Sequence, residues 1–89
     1  MRIRHKKGLV RIFYTMTICD LKKGERATVL RVETDELLKE RLRMLNISTN
    51  RDVTVLKVSP FGKTFLLGAG SATVALRREI ANAIRVFRA

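Results

Sequence analysis

His5, Cys19 and eight carboxylates are the side chains of this 89-residue chain suited to hold a metal or move a proton. A tight ferrous site wants histidine and carboxylate ligands converging in fixed geometry. The adjacent Cys19-Asp20 pair is the one place where two ligand types stand together. No metal centre is expected from this set, and Asp20 is expected to serve a turn. Acid-base catalysis needs paired groups in a sheltered cleft. The single histidine has no such partner, so neither an enzyme, nor a catalytic residue, nor a bound cofactor is expected. Gly62-Lys63-Thr64 ends like a phosphate loop but lacks the earlier glycine of G-x-x-x-x-G-K-[ST], and reads as a turn.

Charge points elsewhere. Nineteen Lys and Arg against eight Asp and Glu leave a formal charge of +11, a balance that ordinarily suggests nucleic acid or an anionic surface. Nearly half of the excess lies in residues 1–15, where Arg2, Arg4, Lys6, Lys7 and Arg11 stand without an acid. RNA-binding barrels interleave aromatics with Lys and Arg so that bases can stack. Here Phe13 and Tyr14 fall in the basic arm, and Phe61, Phe65 and Phe87 show no RNP-like or zinc-knuckle spacing. A basic small-barrel RNA-binding protein is therefore the competing reading.

The elements that must position any site belong to one small domain, by length. No apolar run approaches the ~18 residues that a membrane helix requires. The stretch from Met1 to Met16 is too broken by Arg11 to read as a signal peptide. A lone Cys19 excludes an intramolecular disulfide and fits a reducing cytosol. Periodicity shifts repeatedly after Met16, as in a mostly β barrel with one or two short helices. Arg26 to Val32 reads as a strand with Ala27 and Val29 on one face and Leu30 and Val32 on the other, a slip in alternation that suggests a twisted strand or a bulge. Thr34 or Asp35 caps an amphipathic helix, Glu36 to Leu45, whose Leu38, Leu42 and Leu45 recur at i, i+4, i+7 and are expected in the core. Leu37 lies off that stripe, either marginally buried or part of a contact patch. Arg51 to Ser59 reads as a strand with Val53, Val55 and Lys57 on one face and Thr54, Leu56 and Val58 on the other. Pro60 to Lys63 is a turn. Thr64 to Leu67 and Ala72 to Leu76 are strands joined by a Gly68 to Ser71 loop. A short helix within Arg77 to Ala83 and a last strand from Ile84 to Phe87 close the domain.

In this order and spacing the residues from Met16 to about Phe87 resemble the ferrous iron transport protein A (FeoA) family. The pieces that match are Thr17 to Glu25, then Ala27, Val29 and Val32, and the helix Leu38-Lys39-Glu40-Arg41-Leu42-Arg43-Met44-Leu45-Asn46-Ile47. Val53-Thr54-Val55, Pro60-Phe61-Gly62 and Val74 to Ala81 with Ile84 and Val86 follow. The family usually has glycine where Asn46 stands and again near Asn50; asparagine is the non-glycine residue that best tolerates positive φ. The arm before Met16 departs further, and is expected to be either an early-annotated start or an addition.

The resemblance implies an SH3-like β-barrel over residues 16–89. It also implies a cytoplasmic accessory role in ferrous iron uptake, at the inner face of the membrane. The implied partner is ferrous iron transport protein B, a membrane transporter with a GTP-binding domain. The same barrel resembles the carboxy-terminal domain of metal-dependent repressors, so a stand-alone relative of that domain is a further reading. An adaptor without an active site must work through its surface. Pro60, Phe61 and Gly62, with Arg41 and Arg43 on the polar side of the helix, are the candidate partner-binding residues. Phe61 would be the anchor and the arginines would steer toward an acidic partner. Arg77 and Arg78 are a further basic pair, either contacting a partner or simply solvated.

Overall fold

A computed structural model describes residues 16–88; the basic arm with its His5, and Ala89, lie outside the described residues. Thr17 opens a single 3-10 turn, Ile18–Asp20. Its Oγ1 accepts from the Cys19 N–H at 3.2 Å while Asp20 Oδ2 accepts from the Thr17 N–H at 2.9 Å. This reciprocal cap is the turn role expected of Asp20.

Five strands follow: β1 (Arg26–Val32), β2 (Asp52–Val58), β3 (Thr64–Ala69), β4 (Ala72–Arg77) and β5 (Ile84–Arg88). They form one antiparallel sheet in the order β4-β3-β2-β1-β5. Helix α1 (Glu36–Met44) connects β1 to β2, and α2 (Arg78–Ala81) connects β4 to β5. Two bulges bend the sheet around its core. One falls between Val29 and Arg31, so Ala27, Val29 and Val32 are all buried while Leu30 is squeezed outward and only partly buried. The slip in the sequence pattern is this bulge, and it corrects the expectation that Val32 lies with Leu30 on the other face: the extra residue returns Val32 to the inner face with Ala27 and Val29.

The other bulge lies between Val55 and Lys57 and corrects the simple alternation expected for this strand. Leu56 is the extra residue, Lys57 turns to solvent and Val58 packs against the core. The expected four-residue loop is also corrected, because β3 and β4 extend to the pair Ala69↔Ala72 and leave only Gly70-Ser71 between them. Gly70 has φ +60°, the positive value that a first loop position demands in a two-residue hairpin of type II′.

Asp35 is the helix cap, its Oδ1 accepting from the Leu38 N–H at 2.8 Å. Leu42 is fully buried and Leu38 packs at the margin. Leu45 is a correction: 41% of it is exposed. The helix ends at Met44, the chain reverses at Asn46 (φ +70°), and Ile47 turns inward in its place, its N–H reaching back to the Leu42 carbonyl at 2.9 Å. Asn50 also has positive φ, +71°. Both asparagines thus occupy the left-handed region that their positions required.

Val53, Val55, Leu67, Ile84 and Val86 are fully buried at the centre, with Phe65, Val74 and Leu76 around them. Burial of this kind supplies most of the stability of so small a domain, at roughly 25 cal/mol per Å² of apolar surface. Among the described residues no helix is long and apolar enough to cross a membrane.

Candidate functional site

Between β2 and β3 the chain makes a turn that is fixed in its backbone and open in its side chains. Ser59 organises it: its Oγ accepts from the N–H groups of Lys63 and Thr64, both at 3.0 Å, and its carbonyl accepts from the Gly62 N–H at 2.9 Å. Gly62 takes φ +67°, and its carbonyl accepts from Arg78 Nη1 at 3.2 Å. Phe61, held on this scaffold, is 86% exposed. A rigid backbone displaying an aromatic ring to water is a preorganised contact, since little entropy remains to be lost when the ring is covered.

Around the same turn, Lys63, Thr64, Arg77, Arg78 and Glu79 line an open cleft of about 510 Å³. Three bases face one acid there. The backbone N–H of Arg78 also donates to the Lys63 carbonyl, at 2.8 Å, extending the β3–β4 ladder into the cleft. Behind Arg78 lies Cys19, whose Sγ is 3.5 Å from the Arg78 carbonyl oxygen. Burial pushes the Cys19 thiol up from its ordinary value, against the downward pull of the Arg78 guanidinium and the Thr17 hydrogen bond.

That environment bears on metal binding. Cysteine binds a metal as its thiolate, and burial disfavours the thiolate of Cys19. Asp20, its neighbour, has a carboxylate oxygen on the Thr17 N–H. Among the described residues no three His, Cys, Asp or Glu side chains converge on a common point.

Arg41 and Arg43 are placed elsewhere. Asn46, directly after α1, sends its Nδ2 to the Ala69 carbonyl at 3.3 Å, so the end of the helix sits at the β3–β4 tip. Phe61 is at the other end of β3, a six-residue strand about 20 Å long. The surface expected to combine Phe61 with the helix is therefore two patches. On the second, Arg43 is paired with Glu40 one turn back, which lowers the Glu40 pKa through that hydrogen bond. Arg41 has no such partner among the described residues.

Leu37, marginally buried or part of a contact patch by its sequence position, lies on the surface of α1 together with Met44, which the sequence reading did not single out. Leu37 is 66% and Met44 76% exposed, flanking Arg41 on one stripe. Residues 37, 41 and 44 repeat at the same spacing as 38, 42 and 45, so periodicity alone offers two stripes. The only signal was the unexplained Leu37.

Comparison with curated proteins yields no match. Among solved structures, FeoA from Chlorobium tepidum superposes with a TM-score of 0.77 at 27% identity, over 82% of this chain and 70% of that one. FeoA from Stenotrophomonas maltophilia, complexed with zinc and described as a prokaryotic SH3 domain protein, superposes at 0.69 with 27% identity, over 80% of this chain and 88% of that one. A manganese-dependent transcriptional repressor matches at 0.74 and 25% identity over 83% of this chain, which spans only 41% of the repressor. The five-stranded sheet with two short helices is thus SH3-like. The FeoA domain model matches residues 16–88, and on that match the chain belongs to the FeoA domain family.

Proposed function

We propose that this protein is a cytoplasmic accessory factor of ferrous iron uptake that acts by contact with the membrane transporter, ferrous iron transport protein B. Family membership supports the iron role. The observation that carries the contact is Phe61, almost wholly exposed on a turn held by Ser59 and Arg78. An aromatic ring in that position contributes nothing to the core, and buried aromatics dominate interface energetics. Pro60 and Gly62 shape the turn that presents it. Arg41, with Arg43, forms a second patch on α1 that steers an acidic partner rather than anchoring it.

The test is iron uptake and transporter co-purification in cells expressing Phe61→Ala. The variant is expected to fold as the parent does and to lose association and uptake. Full uptake by a stably expressed Phe61→Ala protein removes Phe61 from the contact. Undiminished uptake after deletion of the whole gene removes the iron function and leaves RNA binding by a basic barrel as the reading to pursue.

A further inference from the structure

Among the described residues the outer edge of β4 is open: it is the terminal strand of the sheet and pairs only with β3. The two-residue hairpin makes Ala69↔Ala72 a hydrogen-bonded pair, and the same parity gives Val74 and Leu76 their bonds to β3. The Arg78 N–H on the Lys63 carbonyl confirms that phase. Thr73 and Ala75 therefore turn their N–H and C=O groups away from the sheet, and Arg77 its N–H, while the Arg77 carbonyl, at the N-cap of α2, takes the first hydrogen bond of that helix. Their side chains are exposed as well.

Natural sheets usually blunt such an edge with proline, an inward charge or a covering loop. In Thr73 to Leu76 there is no proline and no charge. The edge instead runs at Arg77 into the basic cleft formed with Lys63 and Arg78, where Glu79 is the single acid. Neither Lys63 nor Arg77 has an ion-pair partner among the described residues. Edge and cleft together form a strip about three residues long in hydrogen-bonding terms, with a cationic end.

We propose that β4 is a docking edge for an extended acidic segment of a partner protein. The segment adds as a sixth strand, exchanging backbone hydrogen bonds with Thr73 and Ala75, accepting one from the Arg77 N–H, and setting its carboxylates against Lys63, Arg77 and Arg78. A second copy of this chain is a poorer occupant, because the whole chain carries +11 and copies repel. In naming the partner's chemistry this rests on the contact reading above, yet the two fail separately. The peptide experiment needs no transporter, and the uptake experiment on Phe61 leaves β4 untouched.

The probe is a capped ten-residue peptide in which Glu or Asp alternates with Val or Thr, titrated into the ¹⁵N-labelled full chain. The amides of Thr73, Ala75 and Arg77 should shift on binding. Methylating alternate peptide nitrogens, which removes the strand hydrogen bonds, should abolish the shifts. A combined Lys63→Glu and Arg77→Glu change should weaken binding at least about tenfold. Ala75→Pro should block docking, since its N–H makes no bond to β3; if that variant fails to fold, the charge reversal and the methylated peptide still decide. Undiminished binding of the methylated peptide overturns strand addition. Shifts confined to α1, no binding at millimolar peptide, or preference of these same amides for a single-stranded oligouridylate overturn the proposal outright.

Discussion

Arg78 holds Gly62 twice over: its Nη1 donates to the Gly62 carbonyl at 3.2 Å, and it is the nearest atom, at 3.3 Å, that a Cβ at position 62 would meet. Alanine at 62 meets both a positive φ of +67° and this guanidinium. Gly62→Ala is expected to cost about 1 to 2 kcal/mol by urea denaturation. Arg78→Ala, which removes one exposed hydrogen bond, should cost under about 1 kcal/mol. It should nonetheless speed amide exchange at Gly62 and Lys63.

Leu42 and Leu45 lie three residues apart with opposite fates. Leu42→Ala empties a fully packed position and is expected to cost about 2 to 5 kcal/mol. Leu45→Ala removes a side chain already 41% exposed, and the loss should stay under about 1 kcal/mol. Chemical denaturation of the two variants side by side checks the ordering, and a loss under about 0.5 kcal/mol for Leu42→Ala contradicts its burial.

At Asn50 the φ of +71° comes without a side-chain hydrogen bond to another described residue. Asn50→Gly should therefore be neutral or stabilising, within about 0.5 kcal/mol. Asn50→Ala should destabilise by about 1 kcal/mol, because a Cβ resists the left-handed region. Thermal melts of both variants give the comparison.

Cys19 has a thiol pushed up by burial, so the folded protein keeps its proton to higher pH than the unfolded chain does. The native state then binds more protons above the ordinary thiol pKa of about 8.5, and stability falls as pH rises through and beyond that value. The same shift slows alkylation. Iodoacetamide should modify native Cys19 several times more slowly at pH 8 than the denatured chain, read by mass spectrometry. Equal rates contradict the burial.

A protein beginning at Met16 should fold with an unchanged melting temperature. Among the described residues Met16 and Thr17 tie this end to the sheet: the Val86 N–H donates to the Met16 carbonyl at 3.0 Å, and Thr17 bridges Arg85. Circular dichroism of the shortened and full chains checks it. A clear drop on shortening assigns a structural role to residues 1–15, with Leu9 to Tyr14 along the barrel edge as the segment to mutate first.

Local chemistry made much of this protein readable from its residues. Asp35 before an apolar stripe announces a helix start, and Asn46 marks where that helix must stop. Pro60 with Gly62 breaks two strands apart, and the slip at Val29 and Leu30 foretells a bulge. Each of these signals acts within a few residues through φ preferences and capping hydrogen bonds, so neighbours in sequence suffice to read it.

Other features depend on groups distant in the chain. Leu38, Leu42 and Leu45 share one stripe and an equal claim on the core by spacing, yet only the packing of the barrel decides that Leu42 is buried, Leu38 marginal and Leu45 exposed. Ile47 turns inward because the chain reverses at Asn46, which leaves Leu45 outside. Phe61 and Arg41 look like parts of one surface until β3 is laid between them. Among the described residues β4 is an open edge because strand order places it last, and Lys63 meets Arg77 and Arg78 in one cleft because β3 lies beside β4. Such relations come from the packing of elements brought together by the sheet, and sequence spacing carries no record of them.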